Sequence, residues 1–476
     1  MSDPPPGPGR RYRPIRFATW AVAIAVLVTL PAGILTGTTN FGGRVDPGNL
    51  LPQPLPAQSY DWPELHQNPM LTGYTANSTI NATNAGTLGV EWDTYLYGSA
   101  LDSPVIAYDP ILHETLAYIG TETGNVLGIN IANGQIVWGL WLGSPIRSSP
   151  LVYGGSVYIG TFVNPAILRI NDTTGAVQAR IISPGQLEAT PTLATPPGGI
   201  PTLYFPTLDS AHSGPLLALN AATLAVEWEF TDYNQTAGSW DSASYAVNAN
   251  GIPEVLFGTD NPDSSVYAVN ALTGARLWWF QCYEPNDGDY DVAAGVTVSP
   301  PGGNGFADGV AYAINKISYA YALDLTTGKL IWEVNFDKLA GHSGGVSRST
   351  SALLGTNLVF GYPVGVLDLN AITGKLVWDF KDSTKTESLA SPDIVGPSGN
   401  GIGVTGDVGG YVDVVSLATG AKLYSYQTGG YIAGSPAVSG DNIVFASSNG
   451  FLYDFALGGG NEAVLPTTRI SSPVDG

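Results

Sequence analysis

The sequence predicts an all-β, eight-bladed β-propeller preceded by a single N-terminal transmembrane helix, and three observations predict it. Glycine accounts for 60 of 476 residues, aromatics for 10% and charged residues for only 12%, a balance that suits a turn-rich β protein. One phrase recurs through the chain. The only long apolar run lies at the N-terminus.

The recurring phrase ends on an aromatic residue in most copies: INIANGQIVW at Trp138, LALNAATLAVEW at Trp228, YAVNALTGARLW at Trp278, YALDLTTGKLIW at Trp332 and LDLNAITGKLVW at Trp378. LRINDTTGAVQA ends at Ala179, VVSLATGAKLY at Tyr424, and a truncated copy, NAGTLGVEW, ends at Trp92. These end points fall 41 to 54 residues apart. Each copy reads as strand, turn and alternating strand, the pattern of a hairpin. Phrases between copies, such as SSPLVYGGSVYIGT and GSPAVSGDNIVFASSNG, supply a second hairpin. Four strands per period make a propeller blade, because one such sheet cannot bury its own faces. The final FLYDFAL lacks a fourth strand, so GVEW, ending at Trp92, is expected beside it, closing the ring and removing a free edge. The tryptophans at the repeat position are expected to pack blades.

Phe17 to Leu35 carries no charge and follows Arg10, Arg11, Arg13 and Arg16. About 20 apolar residues span a bilayer, and the basic flank keeps that end in the cytoplasm. The expected organisation is a basic stub over 1–16, an anchor or signal over 17–36 and an extracytoplasmic linker over 37–83; the stretch from Thr36 to Pro69, rich in Gly, Pro and Asn, is expected to settle onto the propeller. The propeller follows over 84–461, with a tail over 462–476. A cleaved signal peptide is the rival reading of the apolar run. The sequons at Asn77, Asn81, Asn171 and Asn234 are compatible with export.

A net charge of −21 argues against nucleic-acid binding, which needs cationic surface. The lone Cys282 excludes an internal disulfide and a c-type haem attachment site. The four histidines show no metal-ligand spacing, and no G-x-S-x-G elbow or Walker-type loop occurs.

The phrase A-x-D-x-x-T-G-K-x-x-W resembles the tryptophan-docking repeat of the pyrroloquinoline quinone (PQQ) propellers. That family includes quinoprotein alcohol dehydrogenases and non-catalytic scaffolds of outer-membrane assembly. Residues that break the repeat decide between them. The stretch FGTDNPDSSVYAVNALTGARLWWFQCYEPNDGDYDV, Phe257 to Val292, is similar to the dehydrogenases' GTGNP and PND-x-DYD segments. The resemblance makes Asn261 a metal ligand and Asp289 both catalytic base and metal ligand. Asp291 corresponds to the extra aspartate that accompanies lanthanide use.

The same resemblance places Trp240 as a floor under a planar quinone, Lys316 at the quinone oxygens and Asp209 among the metal ligands, with Glu188 as its substitute. It departs from the family where the adjacent-cysteine disulfide would stand, near Gly143 and Ser144. The nearby arginine position is Ser149, leaving Arg147 as the candidate in its place. The implied cofactors are PQQ with calcium or a lanthanide. The implied activity is oxidation of an alcohol or sugar, with electrons leaving to a separate cytochrome, copper protein or membrane quinone. The alternative is a protein-binding scaffold that keeps the blades and lacks the chemistry.

Overall fold

The computed structural model describes residues 61–209, 211, 213–282, 290–342, 344–382 and 387–460. The predicted anchor, the basic stub, the C-terminal tail and Asp289 lie outside the described residues. Among the described residues no helix is long and apolar enough to cross a membrane.

Among the described residues, eight four-stranded antiparallel blades surround a channel, and Tyr74–Thr75 adds a fifth, parallel strand to the sheet of blade seven. Blades one to seven span 105–141, 151–182, 192–230, 244–281, 297–335, 352–381 and 393–427. Blade eight combines the last three strands, 437–457, with Leu88–Tyr95 from the other end of the propeller. That strand runs antiparallel to Phe451–Leu457, pairing Val90 with Phe455 and Tyr95 with Phe451. The ring closes where GVEW predicts it.

The repeat tryptophans join neighbouring blades. Trp138 Nε1 donates to the Asp172 carbonyl at 2.6 Å, and Trp278 and Trp378 repeat this bond to Leu325 and Leu417 at 2.9 and 2.7 Å. Each indole rests on the turn glycine of the next blade. At Gly175, φ is +71° and a Cβ would meet Trp138 at 2.6 Å, so the T-G turn is needed both for its backbone and for its missing side chain. The one repeat copy ending in alanine supports this reading. Opposite Ala179 the next turn carries Leu224, at φ 59° and fully buried in the same cluster, filling the space an indole would take.

Hydroxyls bind the inner strands around the channel. Ser435 N donates to Ser103 Oγ at 2.8 Å, Ser103 N to Ser149 Oγ at 2.8 Å, Thr190 N to Ser242 Oγ at 3.0 Å, and Thr350 N to Ser391 Oγ at 2.8 Å.

Part of the predicted linker lies inside the channel. Residues 62–79 visit the blades in order. Trp62 exchanges both backbone bonds with Ile106 of blade one, each 2.8 Å, and the Pro63 carbonyl accepts from Val152 of blade two. Glu64 Oε2 accepts from Leu193 N of blade three at 3.4 Å. The carbonyls of Pro69, Met70, Thr72 and Gly73 accept from Tyr245, Val298, Leu353 and Ile394 of blades four to seven. Asp441 of blade eight then receives Thr79 N at 2.6 Å. Trp62 and Leu71 are each 1% exposed and His66 is fully buried, 3.2 Å from Asp393 through Nδ1. The segment is therefore a strap, satisfied by inner-strand amides that would otherwise face the channel.

Candidate functional site

Two classes of loop converge on one rim of the propeller. One precedes each inner strand, and the other joins the second and third strands; in antiparallel sheets both lie at the same end. Asp61 Oδ1 meets Tyr108 N near the far end of the blade-one inner strand, so the strap comes in from the opposite rim.

On the loop rim, between blades three and five, Leu208, Trp240, Asp260, Asn261, Pro262, Asp291 and Lys316 line a cavity of about 400 Å³. Backbone bonds step from loop to loop behind it. Asp260 N donates to the Gly238 carbonyl, and Gly238 N returns a bond to Asp260 Oδ1 at 3.2 Å. Val292 N donates to Thr259, Lys316 N to the Asp291 carbonyl at 2.8 Å, and Ser347 N to the Lys316 carbonyl at 3.1 Å. These links explain why residues distant in sequence share one wall.

The side chains are engaged with one another. Lys316 Nζ lies 2.9 Å from Asp291 Oδ2, with both side chains nearly inaccessible at 5% and 6% exposure. Asp291 Oδ1 accepts Asn261 N at 2.8 Å. Asn261 Oδ1 accepts Ser264 Oγ at 2.7 Å. Lys316 Nζ stands 4.5 Å from the Trp240 ring centroid, a cation–π distance. A second cation, the Arg348 guanidinium, has its carbon 4.7 Å from the same centroid. Trp240 Nε1 is buried and has no hydrogen-bond acceptor among the described residues.

Four residues singled out in the sequence therefore meet here: Trp240, Asn261, Asp291 and Lys316. Two others do not line the cavity. Arg147 binds Glu122 through Nε at 3.0 Å and Glu188 through Nη1 at 3.0 Å, with its guanidinium carbon 4.0 Å from the Phe162 centroid. That also occupies Glu188, the substitute ligand. Asp209 caps its own loop: Oδ1 accepts Ala211 N at 2.7 Å and Ser213 N at 3.0 Å, and Oδ2 accepts Ser213 Oγ at 2.9 Å.

Sequence reasoning missed Asp260 and Arg348. Asp260 is 1% exposed and adds a second carboxylate to the wall. Its signal was visible, since aspartate stands where the resembling G-T-G-N-P segment has its second glycine. Arg348 lies in the loop before the blade-six inner strand, outside every matched phrase, and nothing in the sequence marks it.

The donor set suits a hard cation. Asp260, Asn261 and Asp291 offer carboxylate and amide oxygen, the ligands of Ca²⁺ and of ions like it. The half-buried indole, with its orphaned Nε1, and the adjoining lysine suit a flat, oxygen-bearing group. The residues present fit a planar quinone with a hard cation.

Residues 76–229 and 262–474 match the family described as outer membrane protein assembly factor BamB. Outer membrane protein assembly factor BamB of Legionella pneumophila (strain Paris) is 31% identical over 201 residues, covering 41% of this chain and 47% of that protein. The chain thus spans about half the length of that curated relative. Lupanine 17-hydroxylase (cytochrome c) of a Pseudomonas species is 22% identical over 505 residues, covering 79% of this chain and 71% of that protein. Quinohemoprotein alcohol dehydrogenase from Comamonas testosteroni superposes with a TM-score of 0.70 at 15% identity, covering 87% of this chain and 82% of that one. At that identity the likeness establishes the fold. With its docked tryptophans, its eight blades and a family match over most of its length, this chain belongs to the PQQ-like β-propeller family described by outer membrane protein assembly factor BamB.

Proposed function

We propose that the chain is a PQQ-dependent dehydrogenase that oxidises an alcohol or sugar hydroxyl outside the cytoplasm, with residues 17–36 as its membrane anchor and a separate protein or quinone as electron acceptor. One observation carries the reading. Trp240, Asn261, Asp291 and Lys316, chosen in the sequence by resemblance to the dehydrogenases' site positions, lie on four loops and line a single cavity.

In this reading Trp240 is the flat surface against which the quinone packs. Asp260, Asn261 and Asp291 hold the calcium or lanthanide ion. When bound, the quinone supplies a two-electron acceptor and the ion a Lewis acid. Lys316, fixed by Asp291, sets a positive charge beside the place where negative charge grows. Leu208 and Pro262 keep the wall beside these groups apolar. Asp289, outside the described residues, is the base that removes the substrate's hydroxyl proton.

The family match supports a second reading, a protein-binding propeller without chemistry. Turnover separates the two. Full chain loaded with PQQ and Ca²⁺ or La³⁺ should reduce a dye in the presence of alcohols or aldoses. Asp289→Ala should cut that rate by about 10²- to 10⁴-fold, the usual contribution of a positioned base, while PQQ still binds. Dye reduction that is equal in Asp289→Ala would overturn Asp289 as the base, and dye reduction that is absent with every substrate and both metals, although PQQ binds, would leave the scaffold reading.

A further inference from the structure

We infer that a second binding site lies on the loop rim at blades eight and one, away from the cavity: an aromatic platform of Tyr95, Tyr97 and Trp141 that takes the sugar rings of a neutral polysaccharide. The inference goes beyond the quinone reading and holds whichever chemistry the cavity performs.

Trp141 ends the outer strand of blade one and is 70% exposed, yet its ring is fixed. Its Nε1 donates to the Thr123 carbonyl at 3.0 Å. A Cβ at Gly143 would stand 3.4, 3.6 and 3.7 Å from ring carbons Cη2, Cζ2 and Cζ3, near-equal distances that place it over the face and not at the edge. One face of the indole is therefore backed by Gly143, and the other is turned to solvent. Tyr97 is 49% exposed and holds φ at +60°, the left-handed region that a bulky side chain avoids. Its carbonyl accepts Thr123 Oγ1 at 2.9 Å and Asn125 Nδ2 at 3.4 Å. Gly98 leaves room for this approach, since a Cβ there would collide with Thr123 Oγ1. One threonine thus fixes both aromatic residues. Tyr95, 43% exposed, adds a third ring, its centroid 5.3 Å from that of Tyr97. A strained backbone and a tethered indole that present rings to water add nothing to the core; such strain gathers at ligand-contacting positions.

The neighbours decide the class of ligand. In the loops that carry the platform, 96–104, 121–124 and 142–150, the one cation is Arg147, and Glu122 and Glu188 hold it at 3.0 Å each. No cation there remains for an anionic chain, and a net charge of −21 repels one. The rings do not merge into one apolar patch. Thr123 stands between Tyr97 and Trp141, the Ser99 carbonyl accepts Glu122 N at 2.8 Å beside it, and Asn125 Nδ2 bonds Thr123 Oγ1 at 3.0 Å. A lipid surface or an apolar protein hot spot needs contiguous apolar area. Spaced rings with hydroxyl and amide groups between them match a pyranose chain, whose C–H faces pack on aromatic rings while its hydroxyls bond at the edges.

The test is affinity electrophoresis of the full chain, without quinone or metal, through native gels containing hydroxyethylcellulose, glucomannan or carboxymethylcellulose. Retardation by at least one of the two neutral polymers, and less by the anionic one, is expected. Trp141→Ala should raise the dissociation constant about tenfold and Tyr97→Ala about threefold, the effect of losing one stacked ring. Trp141→Phe should keep most of the binding. Both residues are exposed, so the urea midpoints should match wild type, which separates lost binding from lost folding. PQQ binding to the same variants should not change, so this inference and the quinone reading fail separately. Unchanged mobility in both neutral polymers, or retardation that Trp141→Ala and Tyr97→Ala leave intact, would overturn the platform. Retardation by carboxymethylcellulose as strong as by the neutral polymers would overturn the neutral ligand.

Discussion

Asp291→Leu and Lys316→Met should each lower the unfolding free energy by about 3–5 kcal/mol, while the double variant should recover most of the loss. Their ion pair is 2.9 Å long with both side chains nearly inaccessible, so either single change leaves a buried charge without its counter-ion. Removing both charges together removes that penalty, and an apolar pair of similar volume can match the original. The Trp240 face still attracts Lys316 after Asp291 is lost, but a cation–π contact offsets only part of a lost carboxylate. Urea unfolding of the four proteins gives the coupling energy directly. Single variants within about 1 kcal/mol of wild type would mean that the pair is solvated and the cavity wall is not as closed as described.

The propeller should also grow more stable as the pH falls from 8 toward 5. Burial raises Glu64, Asp102, Glu254 and Asp454 to about 8, Asp368 to about 7 and Asp172 to about 6. Their ordinary values, 3.8 for aspartate and 4.5 for glutamate, apply in the unfolded chain. Between those limits the folded state keeps protons that the unfolded state has shed. Stability is then fully present below about pH 4 and is lost as the pH rises through 6 to 8, by up to about 1.4 kcal/mol per pH unit for each group. His66 works the other way: burial lowers it to about 3, so the unfolded chain takes up its proton first below about 6.5. One histidine does not reverse six carboxylates. Relief of self-repulsion in a chain of charge −21 adds to the trend. The urea midpoint should be higher at pH 5.5 than at pH 8. Glu254→Gln, which replaces a fully buried acid with a neutral amide of the same shape, should flatten the dependence. A higher midpoint at pH 8 would contradict the assignment.

The blades were legible because a repeated packing problem leaves a repeated sequence. The docked indole needs a turn glycine on the next blade, so Trp138 and Gly175 both show in the pattern. The exception, Ala179 against Leu224, could have been read as a compensating pair. That the linker settles onto the propeller was legible, but its path as a strap along the inner strands was not, since its bonds are made chiefly by backbone carbonyls that any residue carries. Within the site, Asn261, Asp291 and Lys316 stood out by resemblance to the dehydrogenases' phrases, and Trp240 also by falling out of the repeat register. Asp209 and Arg147 had the right chemistry but closer partners. An aspartate in a short loop satisfies amides two and four residues on, and a rim arginine flanked by two glutamates binds them. Sequence gives residue type; the neighbours decide what each side chain serves. Arg348 shows the converse, an unmarked position made prominent by the loop that carries it.

The most direct test of the central claim is PQQ binding to the full chain with Ca²⁺, with La³⁺ and with chelator, read by tryptophan fluorescence in wild type and Trp240→Leu. Saturable, metal-dependent quenching in wild type, with affinity lowered at least tenfold in Trp240→Leu, is the expected result. Metal-independent quenching of equal strength in both proteins, or no binding in wild type, would contradict a quinone site at this cavity.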